Sequence, residues 1–368
     1  MKDLTILLKP ASAGCNLRCG YCFYADESRN RAQPSRGHMR PETLRAILRN
    51  VFCDLSSGDR LCLTFQGGEP TLVGLGFYQS LVEDCRALAP AGVSVRYALQ
   101  TNGLLLDDAW CAFLREQGFL VGLSLDGPIA IHDAQRRDAL GNGSYARVMQ
   151  AKRRLDRYGT DYNVLMVLTR ELARHPHGLM AFLEKNQLAY VQLIPCLGPL
   201  DGGAQACALT PERYASFYNA FFDLWFEAYS RGKYISVKLF DDYIRHLAFG
   251  ECNACGLLGV CTSQLVLESD GSVYPCDFYA LDEYLAGNLA ERPLSTLLAS
   301  PVFQAFPKRP LPANPLCAAC PFLRLCGGGC PRMRKEVFSA AKGGLCGHRL
   351  FLEHALERMA AIARRLPR

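Results

Sequence analysis

Short apolar runs rich in β-branched and aromatic residues recur along the first half of the chain. They span 4–8, 61–65, 93–99, 119–125, 162–168 and 189–194. Between them, the segments 41–52, 77–88, 107–117, 145–158 and 177–186 carry apolar residues at helical spacing. Helix punctuation agrees: Pro41 and Glu42 suit a first turn, and Gly118 and Gly159 follow helix ends. The alternation predicts right-handed βαβ units and a parallel sheet. Six such units are too few for a closed eight-fold barrel, so an open sheet and a partial barrel both fit. The strand ends carry Cys15, Cys19 and Cys22, then Gln66-Gly67-Gly68-Glu69-Pro70, Gln100-Thr101-Asn102-Gly103, Ser124-Leu125-Asp126-Gly127 and Pro195-Cys196-Leu197. Ligands gather at strand C-terminal ends in either design. Five polar or glycine-bearing tips describe one site ringed by loops, and we expect an α/β partial (β/α)6 barrel.

The pattern changes near residue 230. The segment 210–230 reads as a helix, and beyond it the chain becomes cysteine-dense, with more glycine and proline. A metal-stapled module has this character. A final helical pattern covers 349–366. The expected organisation is a barrel domain over 1–230 and a cysteine-rich domain with a C-terminal helix over 231–368.

Composition adds three constraints. The 368 residues are 49% hydrophobic and 21% charged, which describes an ordinary globular protein. The net charge of +6 comes from scattered arginines, with a local excess at Arg358, Arg364, Arg365 and Arg368 that reads as a solvated helix face. No nucleic-acid partner and no membrane are expected. The N-terminus lacks the character of a signal peptide and no apolar run has the length of a membrane span, so the expected location is the cytoplasm. That compartment keeps thiols reduced, and eighteen cysteines there point to metal ligation over disulfides.

The triplet Cys15-x3-Cys19-x2-Cys22 follows the first strand. Three thiolates can hold three corners of a [4Fe–4S] cubane and leave the fourth iron open. Structural zinc would call for a fourth ligand, and the nearest candidate, His38, stands in no zinc-like spacing. With Tyr21 before its last cysteine, the triplet resembles the signature of the radical S-adenosylmethionine superfamily. Gly67-Gly68-Glu69-Pro70 resembles that superfamily's methionine-binding loop, where a glycine lets backbone groups approach the ligand's amino group. The resemblance implies that S-adenosylmethionine chelates the open iron, and that its one-electron cleavage gives a 5′-deoxyadenosyl radical that abstracts a hydrogen from substrate.

Downstream, Cys261-x9-Gly271-x4-Cys276 precedes Cys317-x2-Cys320-x5-Cys326-x3-Cys330 and Cys346. The run is similar, gap for gap, to the SPASM extension of radical enzymes that modify peptides and proteins. That resemblance implies two auxiliary [4Fe–4S] clusters, hence three in all. It assigns Cys255, Cys261, Cys276 and Cys330 to the nearer auxiliary cluster and Cys317, Cys320, Cys326 and Cys346 to the farther one. Cys252 competes with Cys255 for the eighth place. The remaining cysteines (Cys53, Cys62, Cys85, Cys111, Cys196 and Cys207) read as ordinary thiols.

Further segments narrow the resemblance. Lys9-Pro10-Ala11-Ser12 before the triplet, Phe23-Tyr24 after it, Gly122-Leu123-Ser124-Leu125-Asp126-Gly127-Pro128 and Glu268-Ser269-Asp270-Gly271 through Tyr279 resemble the anaerobic sulfatase-maturating enzymes over essentially the whole chain. That family oxidises a cysteine or serine in a sulfatase's C/S-x-P/A-x-R motif to Cα-formylglycine. The resemblance implies that Tyr21, Gly68, Ser124, Arg136 and Leu197 contact S-adenosylmethionine, that Asp277 is the catalytic base, and that Tyr24 and Gln100 line the peptide site. It also implies a sulfatase polypeptide as substrate and a reduced flavodoxin- or ferredoxin-type electron donor.

Two other readings stay open. One is a SPASM-type maturase of a ribosomally made peptide that installs thioether, epimerised or cross-linked residues. Such enzymes often carry an N-terminal recognition domain, whereas here the first strand starts at once. The other is a non-catalytic iron–sulfur or zinc scaffold, which gives Gly67-Gly68-Glu69-Pro70 no purpose. Whether the target residue is cysteine or serine is not readable from the sequence.

Overall fold

In a computed structural model, the described residues are 1–252, 254–309, 314–338 and 344–367, without the side chains of 335 and 336. In chain order the main elements are β1 (Asp3–Leu8), α1 (Phe23–Arg29), α2 (Pro41–Phe52), β2 (Arg60–Phe65), α3 (Leu75–Leu88), β3 (Ser94–Thr101), α4 (Asp108–Glu116), β4 (Leu120–Ser124), α5 (Ile129–Gln135), α6 (Tyr145–Tyr158), β5 (Tyr162–Leu168), α7 (Pro176–Lys185), β6 (Tyr190–Pro195), α8 (Pro211–Ser230), β7 (Ser236–Val237), α9 (Lys238–Phe249), β8 (Leu265–Leu267), β9 (Ser272–Tyr274) and β10 (Gly287–Asn288). A helix over Gly347–Ala363 ends the fold. The six strands and five intervening helices of the periodic pattern are all present. Helices α1 and α5 and the short strands β7 to β10 escaped it, because two to seven residues give little period to read, and α9 lay in the stretch read as cysteine-dense and aperiodic.

Packing groups the chain into two compact units that interleave along the sequence. The first is Met1–Ser124, Arg136–Tyr162 and Ser263–Arg309; the second is Leu125–Gln135, Asn163–Thr262 and Pro310–Arg368.

In the first unit the strand order is β10-β9-β8-β1-β2-β3-β4. β1 to β4 run parallel in sequence order, and β8 adds to the free side of β1 in parallel, with Leu8 opposite Leu267. β8, β9 and β10 pair antiparallel. Ile6, Leu8, Leu61, Leu63, Phe65 and Leu99 are buried, and Leu44, Ile47 and Leu48 of α2 with Tyr78, Leu81 and Val82 of α3 are buried from the helical side. Each fully buried side chain of this size is worth about 1.5–3 kcal/mol. α2 begins with Pro41 in its first turn and Glu42 at the positive end of its dipole.

In the second unit β5, β6 and β7 are parallel neighbours. Its core is aromatic: Phe222 and Trp225 of α8 meet Phe240 of α9 edge-on and Phe351 of the C-terminal helix stacks on it, with centroids 5.1–5.8 Å apart. Trp225 Nε1 donates to the Ile235 carbonyl at 2.7 Å, so its polar end is satisfied.

Candidate active site

The loop between β1 and α1 carries the cysteine triplet. Cys22 stands at the N-cap of α1, and its amide donates to the Cys19 carbonyl at 3.2 Å, which curls the loop. The amide of Leu17 donates to Cys15 Sγ at 3.4 Å. Burial pushes the Cys15 thiol up to about 11, and the neighbouring Glu69 and Cys22 charges add to it. Such a thiol stays protonated at neutral pH unless a metal displaces the proton.

The second loop fastens onto the first. The Gly68 amide donates to the Ser12 carbonyl at 2.9 Å and the Glu69 amide to the Gly14 carbonyl at 2.7 Å. A Cβ on Gly68 would overlap the Gly14 carbonyl. Glycine is therefore needed here for loop-to-loop approach, a reason additional to the ligand clearance expected from the sequence. Glu69 is buried, which raises its carboxyl above the usual range against the pull of its hydrogen bonds. Those bonds come from the Thr71 and Thr101 hydroxyls at 2.5 and 2.7 Å and from the Asn102 amide at 2.7 Å. One carboxyl thus ties the loop after β2 to the loop after β3. Asn102 Nδ2 reaches Asn16 Oδ1 at 2.7 Å, and Gln100 Nε2 donates to Ser124 Oγ at 3.0 Å. The Arg136 guanidinium lies 5.5 Å from the centre of the Tyr21 ring. So Tyr21, Gly68 and Arg136 on loops and Gln100 and Ser124 at strand ends all belong to one unit, while Leu197, two residues beyond β6, belongs to the other.

A charged cluster forms where β1 meets β8. The parallel register of Leu8 with Leu267 sets Lys9 beside Glu268, and the β8–β9 turn brings the chain back through Cys276 to Asp277. Lys9 Nζ lies 3.2 Å from Asp277 Oδ1, 3.4 Å from Glu27 Oε2 and 3.7 Å from Glu268 Oε1. Arg31 closes the cluster, 2.6 Å from Glu268 and 2.7 Å from Glu27. Burial alone would lower the Lys9 pKa, but Asp277, Glu27 and Glu268 outweigh it and raise it. Burial lifts Glu27 to about 7 despite Lys9 and Arg31, whereas the same cations overcome burial at Glu268 and lower it. Three carboxyl groups share two cations, and the strain of that excess falls on Glu27.

Asp277 is the member of the cluster that opens outward. Its side chain is 14% exposed, against 1% for Glu27, Glu268 and Lys9. The Tyr24 hydroxyl lies 2.8 Å from both its oxygens, and Gln66 Nε2 donates to Oδ2 at 2.7 Å and to the Tyr24 oxygen at 2.9 Å. Burial, then the charges of Asp277 and Glu27, push the Tyr24 phenol well above its usual value, so it remains a donor. The sequence reading assigned no role to Lys9 or Gln66. Both occupy the first position after a strand, as Gln100 nearly does, and that position was the available signal.

In the second unit, Cys317, Cys320, Cys326 and Cys346 line one small, partly open pocket together with His348 and Phe338. None of the eighteen cysteines is in a disulfide. Among the described residues no three side chains gather closely enough to grip a single metal ion. Four cysteines around one pocket supply the ligand set that a cubane cluster takes. Burial raises Cys326 and Cys346, and the nearby thiols of their own set contribute. Burial also raises Cys255, with Cys330 and Cys261 as its charged neighbours. A Cβ on Gly256 would press on Cys330, so the 255–256 turn and the 330 loop need glycine to meet. Cys252 Sγ instead faces the Ala254 carbonyl at 3.7 Å. Cys276 lies in the first unit, beside Asp277.

Comparison with known proteins gives the same picture. Residues 10–183 match the radical SAM superfamily and 252–321 match an iron–sulfur cluster-binding domain, SPASM. The chain is 38% identical to the cysteine-type anaerobic sulfatase-maturating enzyme of Clostridium perfringens over 99% of both chains. It is 28% identical to the serine-type enzyme of Bacteroides thetaiotaomicron, over 94% of this chain and 86% of that one. It superposes on a solved structure of native anSMEcpe with bound AdoMet and a Cp18Cys peptide with a TM-score of 0.90 at 36% identity, covering 99% of this chain and all of the other. With cysteine-bearing loops, a glycine cradle and a full-length likeness of that order, the chain belongs to the anaerobic sulfatase-maturating enzymes of the radical SAM superfamily.

Proposed function

We propose that this enzyme forms Cα-formylglycine on a sulfatase with Asp277 as the base that receives the target side chain's proton. The observation that carries the assignment is the triple grip of Tyr24, Gln66 and Lys9 on the cluster's one outward-facing carboxylate. Cys15, Cys19 and Cys22 would hold the cluster that binds S-adenosylmethionine. Tyr21, Gly68, Ser124, Arg136 and Leu197 would seat the cofactor, with Ser124 and Arg136 suited to its carboxylate. When bound, the cluster and S-adenosylmethionine together would supply a carbon-centred radical able to remove one hydrogen atom from the target Cβ.

The rest falls to the chain's own groups. Tyr24 and Gln66 hold the Asp277 carboxylate in one orientation, and its partly exposed edge would accept the proton of a substrate thiol or hydroxyl. Lys9 keeps the carboxylate from turning toward Glu27. Tyr24 and Gln100 would line the peptide. Cys255, Cys261, Cys276 and Cys330, with Cys317, Cys320, Cys326 and Cys346, would hold two auxiliary clusters that accept the electron the substrate gives up. A reduced flavodoxin- or ferredoxin-type protein is the proposed donor, the cytoplasm the proposed location, and 1–230 with 231–368 the proposed functional domains. Greater identity to the cysteine-type enzyme, 38% against 28%, favours cysteine as the target.

The test uses anaerobically reconstituted protein, reductant, S-adenosylmethionine and peptides bearing Cys-x-Pro-x-Arg or Ser-x-Pro-x-Arg. Mass spectrometry should find formylglycine, faster on the cysteine peptide. Cofactor cleavage without peptide change would point to a ribosomal-peptide maturase. Iron analysis should return roughly twelve irons per chain, four for each cubane.

A further inference from the structure

Two cysteines that the cluster assignments leave aside stand together in the second unit. Cys196 follows β6 and Cys207 precedes α8, and their Sγ atoms are 3.8 Å apart. Their backbones are pinned to the same strand end. The Cys196 amide donates to Leu168 at 3.1 Å, and the Cys207 carbonyl accepts from the Arg170 amide at 2.9 Å. The Leu209 amide donates to the Cys196 carbonyl at 2.9 Å, which closes the base of the intervening loop.

The two thiols are unlike. Cys196 is 3% exposed, while Cys207 is only half-buried. The hydrogen bond from Cys196 is the main cause that lowers Cys207, to about 7. Burial does the reverse at Cys85 and Cys111, which rise to about 12 and about 11. An accessible thiolate backed by a buried thiol has the layout of a redox-active pair.

We propose that Cys196 and Cys207 form a reversible thiol–disulfide couple that reacts with low-molecular-weight disulfides. The Cys207 thiolate attacks one sulfur of the small disulfide, breaks its S–S bond and releases one thiolate. Cys196 then gives its proton to solvent, attacks the Cys207 sulfur and displaces the second thiolate. Two protein thiols are oxidised by two electrons, and one small disulfide is reduced to two thiols. The two sulfurs already touch, so joining them calls for only a short approach. The bond would cross-link the base of the 197–206 loop, which begins with Leu197.

The experiment equilibrates the anaerobic holoenzyme in reduced and oxidised glutathione, alkylates the remaining thiols and digests with trypsin. Both cysteines fall in one peptide, residues 186–213, since no lysine or arginine lies between Lys185 and Arg213. The expected result is that this peptide loses two hydrogens at buffer ratios where the exposed Cys53 is still alkylated, and that dithiothreitol reverses the change. Cys196→Ser should leave a lasting glutathione adduct on Cys207, and Cys207→Ser should leave Cys196 a thiol. A doubly alkylated peptide at ratios where Cys53 already carries glutathione would overturn the proposal. So would an adduct on Cys207 that persists in the unaltered protein.

Discussion

The charged cluster around Asp277 and the cysteine pocket around Cys317–Cys346 hold their geometry by different means. The first is built from the chain's own bonds. Lys9, Arg31, Glu27, Glu268, Tyr24 and Gln66 fix one another through ion pairs and hydrogen bonds, on α1 and on segments rooted in a sheet whose residues are buried. The second has little of that support. Its helices Pro315–Ala318 and Leu323–Cys326 are four residues long and bury none of their own side chains. Such short, unburied helices suit a module whose shape would come from thiolate–metal bonds. On the proposed assignments, a proton-handling site would need oriented groups at all times, whereas an electron-accepting site would be assembled by the cluster it holds.

Four predictions would break or sharpen that contrast. The largest concerns metal. Removing iron should abolish amide-exchange protection over 314–330 while β1, β2 and β3 stay protected. Equal loss in both regions would mean that the sheet also depends on its clusters.

Next is Asp277→Asn. Formylglycine turnover should fall by roughly 10²–10⁴-fold, the usual worth of a positioned base. Iron content and S-adenosylmethionine binding, measured by iron assay and equilibrium dialysis, should persist. Turnover close to that of the unaltered enzyme would remove Asp277 from its role.

Third, Lys9→Met should strand buried carboxylates and cost about 3–5 kcal/mol in urea unfolding. A loss below about 1 kcal/mol would show that the cluster tolerates its own charge.

The smallest effect is a pH slope. Burial raises Glu27 from 4.5 to about 7 in the folded chain. Between those values the folded state binds more protons than the unfolded one. The contribution of Glu27 to stability is therefore full below about pH 4.5 and is lost as pH rises through about 7. Compared with Glu27→Gln, the unaltered protein should lose stability from pH 5 to 8, by about 1.4 kcal/mol per pH unit at the steepest. Parallel curves for the two proteins would show that Arg31 and Lys9 hold Glu27 ionised throughout.

The sequence by itself determined the α/β alternation of the first half, where strands and the longer helices between them repeat their period often enough to be read. It also exposed the two cysteine runs, because covalent spacing within a loop limits which thiolates can share one cluster. Resemblance supplied Asp277, Tyr24 and Gln100. What only the tertiary structure decided are contacts between residues far apart in the chain. Lys9 meets Glu268 and Asp277 because β8 adds to β1 in one register. Gln66 reaches Asp277 across 211 positions. Cys196 and Cys207, unremarkable as a spacing, touch because a strand end and a helix start are pinned to the same turn. Register and loop closure are set by the packing of the whole sheet, and no local pattern of apolar and polar residues encodes them.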